Sequence, residues 1–371
     1  MYKIGYRENN ISAYADIVPE DQDEKMFGLS IVYERNDEIK EWKKYYWTSK
    51  KSPQYIYNGD FSLFHNEIKS VRVLEENNKI VLEDTIDFTG KNIAVISNSV
   101  NLGDNIAWLH VFNRFQQVHN CRVYYQTWAS GWHKFLNKIT DDVKSVDHFD
   151  GFLFDYQVNY EQDLSHNLHR SQNLYQRMQN FLNIEEYDPL PVKIKEIPEI
   201  SETIPKPYIC FSEFASVPNK NWMYENGWQQ VIDYFVNKGY TMVNISHEVS
   251  NLKNCLNLTG SDRDLMHRLG TIKDSEFCIF LDTGLSWVAN LIQKHCFIIK
   301  TVVSDEFSFQ DNQTTIALSS DDYCRGCHDN VDYFWQETGT KCFTRKNYEC
   351  SRLITTEMVI NIIETKLIEG I

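Results

Sequence analysis

Apolar and polar positions change rhythm along the chain. Up to about residue 88 the apolar residues come in short aromatic or β-branched runs, among them "LSIVYE", "KYYWTS" and "SVRVLEENNKIVLED", separated by turn residues. That rhythm predicts a small β-sheet or barrel. From residue 91, "KNIAVISNS" reads as a compact strand and "NLGDN" as a loop. The following "IAWLHVFNRFQQVHN" sets Ile106, Leu109, Val111, Phe112 and Phe115 near helical spacing, ahead of a further strand, "CRVYYQTW". Strand, Gly-containing turn, helix and strand make a βαβ unit, whose right-handed crossover implies a parallel sheet. "FDGFLFDY" (149–156) extends the series as a strand and "HNLHRSQNLYQRMQNFL" as a helix.

Five of the eight prolines then fall in "DPLPVKIKEIPEISETIPKP" (188–207). Proline disrupts helix and central strand alike, so this stretch predicts a linker. Beyond it the alternation resumes: strand "PYICFSE", helix "NGWQQVIDYFVNKG", strand "YTMVNIS", helix "DLMHRLGTIKDS", strand "EFCIFL", turn "DTGLS", helix "WVANLIQ" and strand "HCFIIKTV". The expected organisation is a β-rich unit over 1–88, a first Rossmann-like domain over 89–188 on the acceptor side and a linker over 189–207. A second Rossmann-like domain over 208–320 on the nucleotide-sugar side, a metal finger over 321–352 and a C-terminal helix over 353–371 complete it. Two α/β domains facing a cleft are the GT-B architecture, which by itself does not fix a chemistry.

Composition narrows the classes. The 371 residues carry 37 Lys and Arg against 52 Asp and Glu, a formal charge of −15, and no basic run, which argues against a nucleic-acid partner. "MYKIGYRENN" lacks the apolar stretch of a signal peptide and no window nears the roughly 18 apolar residues of a membrane span, so the expected compartment is the cytoplasm. The 14% aromatic share suits aromatic-rich cores more than carbohydrate-contacting surfaces. A reducing cytosol disfavours disulfides, and nine cysteines cannot all pair within one chain. Cys121, Cys210, Cys278 and Cys296 sit in or beside apolar runs and Cys255 stands alone; these five read as small buried hydrophobes.

Four segments could carry chemistry. In "SVNLGDNIA", Gly103 would let the backbone approach a ligand and Asp104 would lie at the C-terminal edge of the first parallel sheet, where α/β ligands bind. Asp104 is either a helix cap or, as an exposed carboxylate near its reference pKa, a general base for a hydroxyl. Lys220 in "SEFASVPNKNW" is either solvated surface or the partner of a diphosphate, while Trp222 and Trp228 read as packing residues before stacking platforms. In "FLDTGLSW", the turn from Thr283 through Gly284, Leu285 and Ser286 opens a helix whose N-terminus suits a pyrophosphate. There is no GxGxxG or GxxxxGK[ST] fingerprint.

The fourth segment holds Cys324, Cys327, Cys342 and Cys350. "CRGC" puts two thiolates on one knuckle, and 14 and then 7 intervening residues leave room for the other two to complete a tetrahedron. A redox CxxC and coincidence are the alternatives. Four sulfur ligands leave no open position, so such a site is structural, with zinc the default, iron the alternative and His328 a competing ligand.

Taken in order, "SVNLGDNIAW", "SEFASVPNKNW", "NGWQQVIDYFVNKGY", "GLSW" and "CRGC" with its two further cysteines resemble the bacterial autotransporter heptosyltransferases, from about residue 90 to 352. The resemblance implies a GT-B fold with an N-terminal β domain and a four-cysteine finger holding one iron, with zinc second. It also implies assembly as a homo-oligomer, a dodecamer, and transfer of heptose from ADP-heptose to serine or threonine hydroxyls of autotransporter-type proteins. By position, Asp104 matches the catalytic aspartate of the Leu102-Gly103-Asp104 motif, and Asn105 stands where threonine is usual. Lys220, followed by Trp222, matches the lysine that engages the donor diphosphate. Thr283 to Ser286 match the donor-side turn, and the four cysteines match the finger ligands.

Overall fold

The structure, a computed structural model, describes residues 2–7, 12–17, 25–35, 38–48, 54–57, 68–75, 77–85, 87–97, 99, 101–127, 131–148, 156–160, 173–182, 191–260, 264–305, 312–319, 323–327, 342 and 346–370. The N-terminal strands β1 (Tyr2–Arg7), β2 (Ser12–Ile17), β3 (Lys25–Arg35), β4 (Glu38–Thr48), β5 (Gln54–Tyr57), β6 (Ile68–Glu75) and β7 (Ile80–Asp84) pair antiparallel in two sheets, ordered β1-β2-β5 and β4-β3-β6-β7. Alternation drives the second of these. Phe27, Leu29, Ile31 and Tyr33 lie on one face of β3 and are buried, as are Val71 and Val73 on β6, because side chains two apart share a face.

A four-stranded parallel sheet follows, in the order β10-β9-β8-β11, made by β8 (Asn92–Ser97), β9 (Arg122–Thr127), β10 (Lys144–Val146) and β11 (Tyr156–Tyr160). Its helices are α1 (Leu102–His119), α2 (Trp132–Ile139) and α3 (Leu174–Phe181). The sequence places a strand at 149–156 and a helix from 166; residues 149–155 and 166–172 lie outside the described residues. α1 is covered on nearly every side, with Ile106 through Phe112 all buried. Its chain reverses at Asn120, held left-handed at φ 48°.

The second parallel sheet has six strands in the order β14-β13-β12-β15-β16-β17. They are β12 (Tyr208–Phe211), β13 (Thr241–Asn244), β14 (Leu256–Asn257), β15 (Cys278–Leu281), β16 (Cys296–Ile299) and β17 (Gln313–Ile316). Helices α4 (Gly227–Asn237), α5 (Leu265–Lys273), α6 (Gly284–Leu291) and α7 (Thr356–Glu369) accompany them. Every residue of β12, β15 and β16 is buried, so these strands read as continuous apolar runs, as strands covered on both faces must. Cys210, Cys278 and Cys296 face one another along this ladder as small buried side chains, Cys121 is buried too, and Cys255 is half-buried. The proline-rich segment 191–207 runs without helix or strand between the sheets. Its Ile200 and Pro198 lie where a Cβ on Gly270 of α5 would be, at 2.8 and 2.9 Å. Thr355 caps α7 by accepting from the Met358 N–H. No helix among the described residues is long and apolar enough to cross a membrane.

Candidate active site

The loop after β8 ends at Asn101, the N-cap of α1, which puts Asp104 on the third helical position and not at the cap. Its carboxylate Oδ2 accepts from the Ser99 hydroxyl at 2.6 Å and from the Asn101 amide at 3.3 Å. Asp104 is only 7% exposed. Burial pushes its carboxyl above the ordinary value, opposed by those two hydrogen bonds and by the positive charges of Arg177 on α3 and Lys220. The sequence expectation of an exposed carboxylate near its reference value is therefore overturned, because α6 lies across the start of α1. The next residue, Asn105, fixes the loop. Its amide donates to the carbonyls of Asn101 (2.6 Å) and Ser99 (3.3 Å), and its oxygen accepts from Tyr125 Oη at 2.7 Å.

Helices α1 and α6 meet end to end through two glycines. A Cβ on Gly103 would stand 2.8 Å from Trp287 Cδ1, and a Cβ on Gly284 would stand 2.8 Å from Leu102 Cβ. Sequence reasoning gave Gly103 to the close approach of a ligand and Gly284 to a turn opening a pyrophosphate-binding helix; in the structure each makes room for a side chain of the other helix, so the helix starts converge. Trp287 also packs edge-on against Tyr175 of α3, with ring centres 5.4 Å apart. Thr283 is the N-cap of α6, and its hydroxyl oxygen is buried without a hydrogen-bond partner among the described residues. Leu285 is buried, and the Ser286 hydroxyl donates to the Thr283 carbonyl at 2.7 Å.

Lys220 arrives from the second sheet. A single 3-10 turn, Pro218–Lys220, follows β12 and carries its ammonium to 3.6 Å from Asp282 Oδ2 and 3.5 Å from the Asp282 carbonyl. The Lys220 side chain is 17% exposed and that of Asp282 6%, so Lys220 is not a solvated surface residue. Trp222 lies in the core under this turn. Its indole N–H donates to the Ile354 carbonyl at 2.8 Å, and its ring meets Trp228 edge-on at 5.4 Å, as the packing alternative requires.

Cys327 and Cys350 are buried with Val302 and Val303 in a small cluster of their own, while Cys324 and Cys342 are half-buried. Gly326, at φ 80°, turns the knuckle between Cys324 and Cys327. Arg325 forks onto Asp305 at 2.7 and 3.1 Å and ties the knuckle to the segment after β16. The Cys350 thiol is pushed up to about 12 by burial and then by Cys327, Cys324 and Cys342, so the four sulfurs share one electrostatic neighbourhood. Among the described residues no group of three or more His, Cys, Asp or Glu stands at ligating geometry. Four cysteines are a donor set that suits a thiophilic cation, which on binding would displace the thiol protons. His328 lies outside the described residues.

Site residues that sequence reasoning missed are Ser99, Asn101, Arg177 and Asp282. Ser99 and Asn101 lie within five residues of Asp104 in "SVNLGDN", where polar residues ahead of a helix are a usable signal. Arg177, 73 positions further on, offers none.

No family profile matches the chain. It is 25% identical over 312 residues to the autotransporter heptosyltransferase Aah of Escherichia coli, covering 77% of each chain. It is 23% identical over 317 residues to the autotransporter heptosyltransferase BAHTCr of Citrobacter rodentium, covering 76% of this chain and 73% of that one. Among solved structures it is similar to TibC from enterotoxigenic E. coli H10407, an iron-containing dodecameric glycosyltransferase, with a TM-score of 0.76, 17% identity and coverage of 99% and 96%. TibC in complex with ADP-D-β-D-heptose superposes with a TM-score of 0.75, at 16% identity and the same coverage. The shared fold is an α/β glycosyltransferase fold of the GT-B kind.

Proposed function

We propose, from its similarity to the autotransporter heptosyltransferases, that the chain is an enzyme of that kind and transfers heptose from ADP-heptose to serine or threonine hydroxyls of autotransporter-type proteins in the cytoplasm. The enzyme class, glycosyltransferase, follows from its relatives. The observation that carries the reading is the meeting of Asp104 and Lys220, from two different sheets, beside the junction of α1 and α6.

In the proposed reaction the acceptor hydroxyl attacks the anomeric carbon of the heptose and its proton passes to the Asp104 carboxylate. The bond between that carbon and the β-phosphate oxygen breaks, and ADP leaves with the electron pair. Asp104 must therefore be ionised. The hydrogen bonds from Ser99 and Asn101, the charges of Arg177 and Lys220 and the positive end of α1 all favour that form, while burial makes the carboxylate a stronger base than an exposed one. Lys220 offsets the charge that grows on the departing diphosphate. The start of α6, from Thr283 through Gly284 and Leu285 to Ser286, with the neighbouring Leu102, Gly103 and Asn105, lines the donor side, and Trp222 supports it from beneath.

Cys324, Cys327, Cys342 and Cys350 would hold one iron, with zinc the alternative. Bound there by four sulfurs, the metal supplies rigidity and takes no part in transfer. By similarity to the dodecameric TibC, the protein is expected to assemble as a homo-oligomer. The test is to incubate the purified protein with ADP-heptose and a panel of other nucleotide sugars, following nucleotide release and the mass of a co-incubated autotransporter passenger. ADP release with heptose added to the passenger is the expected result. Release with no protein adduct but with extension of a glycan would move the acceptor to a saccharide, and no turnover of any donor would sink the reading.

A further inference from the structure

A lysine on a loop grips a diphosphate well only if the backbone beneath it is fixed, because a flexible base spreads its ammonium over many positions. The backbone around Lys220 is fixed by residues remote in sequence. The Ser351 hydroxyl, fully buried, spans the chain on both sides of Trp222: it accepts from the Met223 N–H at 2.7 Å and donates to the Asn221 carbonyl at 2.7 Å. One turn on, the Ile354 carbonyl accepts the Trp222 indole N–H at 2.8 Å. Ahead of the lysine, the Thr301 hydroxyl donates to the Asn219 carbonyl at 3.2 Å.

Both anchors adjoin the cysteine cluster. Ser351 follows Cys350, and Thr301 precedes Val302 and Val303, which pack with Cys327 and Cys350. A helical turn, Glu349–Arg352, carries Cys350 and Ser351 together, so a displacement of the Cys350 sulfur moves the Ser351 oxygen. From this continuity we infer that Ser351 is a positioning residue for Lys220, through which the cysteine cluster sets the affinity of the enzyme for the diphosphate of its donor. The inference rests on the reading that Lys220 holds that diphosphate. Ser351 touches no reacting atom. Its removal strands a buried N–H and a buried carbonyl on either side of Trp222, and the turn must shift to recover them.

The experiment measures ADP affinity of the purified full-length protein by calorimetry, together with kcat and KM for ADP-heptose. Ser351→Ala should weaken ADP binding and raise the donor KM about tenfold while kcat stays within about twofold, and Ser351→Thr, which keeps the hydroxyl, should restore most of the affinity. Cys324→Ser should weaken ADP binding by a similar factor, and adding it to Ser351→Ala should weaken binding no further, because the two changes break one connection. Independent, multiplying losses would overturn the inference, as would unchanged ADP affinity in a folded Ser351→Ala protein. Should Ser351→Ala not fold, Thr301→Val tests the other anchor. A threefold or larger loss of ADP affinity supports the inference, and wild-type affinity overturns it. Lys220→Ala separates the two levels: if it leaves ADP affinity unchanged, the diphosphate reading falls and the inference with it. If Lys220→Ala weakens binding and Ser351→Ala does not, only the inference falls.

Discussion

The two halves of the candidate site are built differently. Asp104 is held by its own neighbourhood: Ser99 and Asn101 donate to its carboxylate from five and three positions away, and Asn105 pins the same loop. Lys220 is held by the rest of the fold, with partners at Asp282, Thr301, Ser351 and Ile354 or beside them, 62 to 132 positions distant. The contrast fits the tasks proposed for them. A base must meet one proton in one place, which a rigid helix start provides, whereas a phosphate cradle can be tuned by whatever packs behind it. Substitutions in the first half should therefore change the chemical step, and those in the second should change binding.

The largest expected effect is at the base. Asp104→Asn keeps the shape and the hydrogen bond from Ser99 yet cannot take a proton, so kcat should fall by about 10³-fold with ADP affinity unchanged, as steady-state kinetics and calorimetry would read. Parallel loss of ADP affinity would erase the division between the halves. Next comes Lys220→Ala, expected to lower kcat/KM for the donor by about 10²-fold, most of it in KM, because a charge facing the diphosphate is removed and Asp282 is left without its cation. A change confined to kcat would place Lys220 in the chemical step instead.

The junction of the halves gives a smaller effect. Gly103→Ala drives a methyl into Trp287 and should destabilise the protein by about 1–3 kcal/mol in denaturant unfolding, and Gly284→Ala should do the same against Leu102. Leu102→Ala added to Gly284→Ala removes the Cγ and Cδ2 contacts at 3.2 and 3.0 Å but keeps the Cβ contact at 2.8 Å, so it should recover only part of that loss; full recovery would show that the Cβ contact costs nothing. Smallest is Ser99→Ala. The Ser99 hydroxyl donates to the charged form of Asp104, so its loss raises the carboxyl pKa further. Activity should fall a few-fold on the acid side and be unchanged at alkaline pH.

How much of this was legible follows the same division. The covered strands β12, β15 and β16 announced themselves as unbroken apolar runs, and the period-two alternation of β3 identified a half-buried sheet. Asp104 could be singled out because it follows Gly103 in the loop at the C-terminal edge of the first parallel sheet. Its burial could not, since the helix that covers it begins some 180 positions later. Gly103 was recognisable as a place of close approach and Gly284 as a helix-opening turn, but a glycine does not say whether a ligand or a side chain fills the space beside it. Lys220 looked like surface because its anchors at Thr301 and Ser351 carry no local signal. Cysteine spacing suggested a four-sulfur metal site; the described residues show the other three thiols acting on Cys350 but no group of three at ligating geometry, and the connection from Cys350 through Ser351 to the lysine turn emerges only in three dimensions.

The pH dependence of kcat/KM for heptose transfer, measured on the wild type and on the residual activity of Asp104→Asn, tests the assignment of the base most directly. An ionised Asp104 raised by burial predicts an acid limb of unit slope, centred above the ordinary carboxylate value of about 4. Activity should be flat above that limb, be lost as pH falls through it, and lose the limb in Asp104→Asn. The same limb persisting in Asp104→Asn would show that another group takes the proton.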